Sequence, residues 1–175
     1  SPVSPGRRLM LWALGLAGLL AFAPVARGED LPEYRLKAAF VYNFIVYTEW
    51  PAATGSALNL CVHATDPFGK EIDGLQGKLA AARRIAVHRK AAGESLKNCQ
   101  AVFVARSAID HLPRLLDSLR DQPVLTLADS PGATNHGVML NMDSGAGRIS
   151  FSANLAAARD HGLILSARLL NLANE

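Results

Sequence analysis

Asp66, Arg106, Ser107 and Asp129 are the residues whose types and spacing come nearest to a binding site. Thr65-Asp66, Arg106-Ser107 and Asp129-Ser130 each follow directly on an apolar run. If those runs are parallel strands, their carboxyl ends share one rim, which is where open α/β sheets bind ligands. Such a rim would offer two carboxylates, a guanidinium and hydroxyls to a small polar molecule. The same residues have a plainer use. Asp66 and Ser107 suit helix caps, Asp129 a turn and Arg106 a solvated surface. Both readings stand at this level.

Nothing else has the spacing of a catalytic or metal site. The chain contains no G-x-G-x-x-G, no G-x-x-x-x-G-K-[ST], no G-x-S-x-G and no H-E-x-x-H. His63, His88, His111, His136 and His161 occur singly, and none has another three or four residues away. They read as packed or solvated side chains, with no metal and no cofactor expected. Cys61 and Cys99 are the only cysteines. In the cytosol they would be free thiols, whereas in an oxidising compartment an even pair forms a bridge. A bridged Cys99 has no thiolate with which to act as a nucleophile.

The compartment is read from residues 1–28. Arg7 and Arg8 precede an uncharged apolar run over residues 9–23, Pro24 follows, and Ala26-Arg27-Gly28 supplies small residues for cleavage. The run falls short of the roughly 20 residues needed to cross a bilayer. A secretory leader cut near Gly28 is therefore expected, leaving residues 29–175 as one domain in the periplasm. The leader's only charges are Arg7, Arg8 and Arg27. Taking these from the 18 Lys+Arg leaves 15, against 15 Asp+Glu, so the domain is formally neutral. Nucleic-acid binding needs a basic footprint, and none survives the cut.

Six of the aromatic residues, Tyr34, Phe40, Tyr42, Phe44, Tyr47 and Trp50, crowd into residues 33–50. That segment lies between Pro32 and Pro51 without internal Gly or Pro, and predicts a helix of about four turns. Leu36, Phe40, Phe44 and Tyr47 make an apolar stripe along it, which Val41, Ile45 and Tyr34 widen. Tyr42 and Tyr47 cannot both share the face turned to the core. Tyr and Trp are frequent at interface hot spots, so Tyr42, Tyr47 and Trp50 are the candidates for contact with a partner.

Strands and helices then alternate. Strands are expected at residues 58–63, 84–88, 101–105 and 123–127, the third apolar throughout as in a central parallel strand. Asp66-Pro67 reads as the start of a short helix, and Ser107 with Asp110 as a capping box. Residues 138–142 and 148–151 flank a Gly-rich turn and predict a hairpin. A helix over residues 154–161 stops at Gly162, and Ser166 caps another. This pattern predicts a single three-layer α/β domain, with a mainly parallel flavodoxin-like sheet, helices on both faces and a C-terminal antiparallel hairpin. A Cys61–Cys99 bridge makes the first and third strands neighbours, as in the order 2-1-3-4.

Several stretches together resemble the YfiR family of bacterial periplasmic proteins. They begin with Tyr34-Arg35-Leu36-Lys37-Ala38-Ala39-Phe40-Val41-Tyr42-Asn43-Phe44 and Thr48-Glu49-Trp50-Pro51. Leu60-Cys61-Val62, Asp66-Pro67-Phe68-Gly69, Asn98-Cys99 and Gly137-Val138-Met139-Leu140-Asn141 continue the likeness. Arg148-Ile149-Ser150-Phe151-Ser152-Ala153-Asn154-Leu155 and residues 164–173 complete it. The resemblance implies a non-enzymatic, homodimeric regulator that represses an inner-membrane diguanylate cyclase by binding its periplasmic region. It also implies relief of that repression by an outer-membrane lipoprotein, with modulation through disulfides. Cys61 and Cys99 match one family disulfide. No second pair occurs around residues 135–141, so a single bridge is expected. The other reading of the domain is a periplasmic small-molecule sensor using the Asp66, Arg106, Ser107 and Asp129 rim.

Overall fold

A computed structural model describes residues 30–51 and 55–173; the expected leader lies outside them. The described residues open with helix α1 (Asp30–Val46), which stops a turn earlier than the Pro32-to-Pro51 interval suggested. The Thr48 hydroxyl donates to the carbonyl of Phe44 at 2.6 Å. Thr48–Glu49 then becomes a two-residue strand, β1, paired antiparallel with β9 (Ile164–Leu165). A sequence pattern cannot announce a strand of two residues whose partner lies more than a hundred residues away.

The main sheet uses β2 (Ala57–His63), β3 (Leu79–Ala80), β4 (Arg83–Lys90), β5 (Ala101–Val104), β6 (Leu125–Ala128), β7 (Leu140–Gly145) and β8 (Arg148–Ala153). Its spatial order is β3-β4-β2-β5-β6-β7-β8. The five strands β4, β2, β5, β6 and β7 run parallel, and β3 and β8 pair antiparallel at the two edges. Central β5 and β6 are buried at every residue, as strands covered on both faces must be. The β7–β8 hairpin turns through Ala146 (φ 51°) and Gly147 (φ 73°). Both have the left-handed backbone that a two-residue hairpin of matching twist requires.

The two faces are covered unequally. Along β2 the alternation sends Leu58, Leu60 and Val62 to one face, which packs against α1 through Val41, Phe44 and Ile45. Phe44, Phe40 and Phe151 meet as a tilted and edge-on aromatic cluster with centroids 5.0–6.0 Å apart. α4 (Leu155–Asp160) and α5 (Ala167–Leu172) join this layer through Ala158 and Leu169. Ser166 caps α5 as expected, its hydroxyl accepting from Leu169 N–H, and Asn154, expected inside the helix, instead caps α4 by accepting from Ala157 N–H. The opposite face is covered by α3 (Leu112–Ser118) and the 3-10 turn before it, with Ala108, Leu112 and Leu115 packed inward.

Two local expectations are corrected. Asp66 does not cap a helix. Its Oδ1 accepts from the Phe68 amide at 2.7 Å in a tight turn, and helix α2 (Lys70–Asp73) starts only after Gly69. Ser107 and Asp110 form no capping box, because Arg106–His111 is a 3-10 turn without a side-chain cap. The stripe on α1 is also displaced. Leu36 is 49% exposed, and the buried face runs through Lys37, Ala38, Val41, Phe44 and Ile45.

Cys61 and Cys99 are joined, with Cα atoms 6.0 Å apart. Cys61 sits within β2, while Cys99 lies in the turn that leads into β5. Residues 91–100, which connect β4 to β5, contain no helix or strand. The bridge ties the far end of this long connection to the neighbouring strand.

Candidate functional site

A fully buried carboxylate lies where β6 ends. Asp129 follows Ala128 directly, at the carboxyl end of a central parallel strand, and its side chain is fully buried. Its charge is met by the first turns of α1. Glu33, Tyr34 and Lys37 stand at i, i+1 and i+4 there, so they share one side of the helix. Lys37 is itself completely buried; its Nζ lies 2.9 Å from Asp129 Oδ2 and 2.6 Å from Glu33 Oε1. The Tyr34 hydroxyl donates to the same Oδ2 at 2.8 Å, and the Lys37 ammonium lies 4.6 Å from the Tyr34 ring centroid.

The cluster extends on two sides. Arg106 Nε donates to the Asp129 carbonyl at 3.0 Å and lies 3.5 Å from its Oδ1, while much of the guanidinium faces solvent. Asn141 on β7 accepts from the Ser130 amide at 3.0 Å and donates to Asp143 Oδ1 at 3.2 Å. The Ser144 hydroxyl donates to Glu33 Oε1 at 2.7 Å. Among the described residues, Asp129 Oδ1 and Ser130 Oγ are buried without a hydrogen-bond partner.

Electrostatics follow from this placement. Hydrogen bonds from Lys37 and then Ser144 hold the Glu33 carboxyl below its usual range, against a smaller opposing effect of burial. Burial, and next the hydrogen bond to Asp129, push the Tyr34 phenol well above its ordinary value. A buried ion pair is costly to desolvate, and removing one partner strands the other. Asp129 is satisfied largely by α1, so the cluster fixes the helix against the strand ends.

The four rim candidates are thus separated in role. Asp129 and Arg106 come together. Asp66 Oδ2 instead receives Arg89 Nε at 2.7 Å, and Ser107 Oγ accepts from the Thr65 amide at 3.1 Å. Each is engaged by the chain itself. Lys37, Glu33 and Asn141 were not singled out from the sequence. One signal was available: Lys37 lies on the stripe of Val41, Phe44 and Ile45, and a lysine inside an apolar stripe must find a buried carboxylate.

The partner-contact candidates lie along the later part of α1 and just beyond it, all half-buried. The Tyr42 hydroxyl donates to the Leu79 carbonyl at 2.8 Å, with Lys78 Nζ 5.0 Å from the ring centroid. Tyr47 carries the Arg168 guanidinium at 5.7 Å. Trp50 Nε1 donates to the Gln100 carbonyl at 3.2 Å, with Arg83 over the indole at 5.2 Å. Each half-buried ring thus lies beside a cation.

Among the described residues no group of three or more His, Cys, Asp or Glu side chains could hold a metal, and no helix is long and apolar enough to cross a membrane. Together the fold and cluster define a mixed α/β domain that spends its best-placed charges on holding its own first helix. The chain belongs to the YfiR/HmsC-like family: the family model DUF4154 matches residues 34–174. No curated protein matched the chain.

Proposed function

We propose that this protein is a non-enzymatic periplasmic regulator that represses a membrane diguanylate cyclase, and so lowers cyclic-di-GMP output, by binding the cyclase's periplasmic region. Membership of the YfiR/HmsC-like family over residues 34–174 is the observation that carries the reading. The geometry supports it in two ways. Asp66, Ser107 and Asp129 Oδ2 are engaged inside the molecule, and the buried Lys37–Asp129 pair anchors α1 to the strand ends. The partner surface is assigned to the flank formed by Tyr42, Tyr47 and Trp50 with the cations beside them. A rigid aromatic edge next to a guanidinium or ammonium is the composition of an interface hot spot. The secretory leader, the homodimer and release by an outer-membrane lipoprotein belong to the same proposal. So does the flavodoxin-like arrangement of the sheet.

The test is co-purification from membranes, comparing wild type with Tyr42→Ala/Tyr47→Ala, together with cellular cyclic-di-GMP. A cyclase recovered with the wild type, and lost with the double variant at unchanged secondary structure, is the expected outcome. Cyclic-di-GMP should rise in parallel. Recovery of no cyclase with the wild type, or unchanged cyclic-di-GMP on deleting the protein, would refute the proposal.

A further inference from the structure

The connection between parallel strands usually contains a helix that covers the sheet. Residues 91–100 make the β4–β5 crossing without one, and the space that a helix would fill stays open. It forms a cleft of about 730 Å³ on the face of the sheet opposite α1. That volume is within the range of roughly 300–1,000 Å³ typical of small-molecule sites.

The walls of the cleft follow from strand and helix periodicity. Alternation along β2 turns Cys61, and two residues later His63, to this face. His63 lines the cleft, is 6% exposed, and has a ring nitrogen, Nδ1, without any hydrogen-bond partner. An unmatched buried polar atom costs about 1–3 kcal/mol, so the site lacks a group that would meet it. Burial also keeps the ring below its ordinary pKa. From the helical side, His111, Arg114, Leu115 and Ser118 project at i, i+3, i+4 and i+7. The loop adds Glu94, Leu96 and Lys97. Arg114 and Lys97 are exposed and, among the described residues, neither side chain has an ion-pair partner. Two cations against one carboxylate leave a single positive charge over an apolar lining of Leu96, Leu115 and Leu119.

We propose that this cleft binds a small organic monocarboxylate, its apolar body against Leu96, Leu115 and Leu119 and its carboxylate between Lys97 and Arg114. A polar substituent of the ligand would meet His63 Nδ1. The site is distinct from the Asp129 cluster and does not depend on the regulatory reading.

Sodium benzoate is the probe, titrated into the purified protein and followed by amide chemical shifts. Sodium chloride at equal ionic strength and neutral benzyl alcohol serve as controls. Saturable shifts confined to the 92–97 loop, α3 and the end of β2 are expected, with benzyl alcohol much weaker. Lys97→Ala/Arg114→Ala changes exposed residues only and should raise the benzoate Kd about tenfold or more, as loss of charge-assisted contacts does. His63→Leu should weaken binding only of hydroxybenzoates, relative to benzoate. Non-saturating or dispersed shifts, or an unchanged Kd in the Lys97/Arg114 double variant, would overturn the assignment.

Discussion

Replacing Lys37 by Met tests whether α1 is held by charge. The substitution keeps the length and apolar stem of the side chain and removes only the ammonium. Because Lys37 and the Asp129 carboxylate are both fully buried, no water waits to take the ammonium's place. Asp129 would keep the Tyr34 hydroxyl on Oδ2 and the distant Arg106 beside Oδ1. Removing one partner of a buried pair costs about 3–5 kcal/mol. For a domain of this size each kcal/mol moves Tm by about 2–4 °C, so a fall of about 10 °C is expected. A double-mutant cycle separates charge from packing. If the pair is the cause, Asp129→Asn should cost much less in the Lys37→Met background than alone, giving a coupling of about 2 kcal/mol or more. Urea unfolding monitored by circular dichroism and by tryptophan fluorescence measures all four corners. A single-variant cost below about 1 kcal/mol, or additivity within about 0.5 kcal/mol, would refute the reasoning.

Three further outcomes are expected. Replacing Cys61 and Cys99 together by Ala should lower stability by about 4 kcal/mol through the lost loop constraint, measured by denaturation of variant and wild type without reductant. Burial lowers the His63 pKa in the folded state; the unfolded chain therefore takes up the proton first, and stability present in full above about pH 6.5 should fall as pH drops through that value. His63→Gln should flatten this part of the stability–pH curve. At the hairpin, Ala146→Gly relieves a left-handed alanine (φ 51°) and should raise stability by about 0.5–1 kcal/mol, read as a higher urea midpoint.

The central strands were legible because their apolar runs are long enough to betray burial on both faces, as over residues 101–104, whereas the two-residue strands β1, β3 and β9 were not. The cap read at Ser166 also survived into the structure. Local rules failed where a distant partner decided. Asp66 looked like a cap until Arg89 and the Phe68 amide claimed its two oxygens. The stripe on α1 was misplaced by one residue because Leu36 is more hydrophobic than Lys37. Yet it is Lys37 that goes inside, since its carboxylate waits 92 residues further on. The strand-end rim was legible as a place, and Asp129 and Arg106 do meet there. Its wiring to α1 was not, because a lysine within an apolar stripe calls for a buried carboxylate without saying which one.

That wiring also governs when the domain can form. Among the described residues α1 is the first element, yet a partner of its buried ammonium is residue 129, and β1, which follows it, pairs with residues 164–165. Until those residues have been made, the buried ammonium lacks Asp129 and β1 lacks its partner strand, although the apolar face of α1 can already meet β2. Folding of this domain is therefore a late closure, in which its last strand and its first helix lock in together. A nascent chain truncated before residue 129 should remain open to proteases and available to chaperones throughout synthesis.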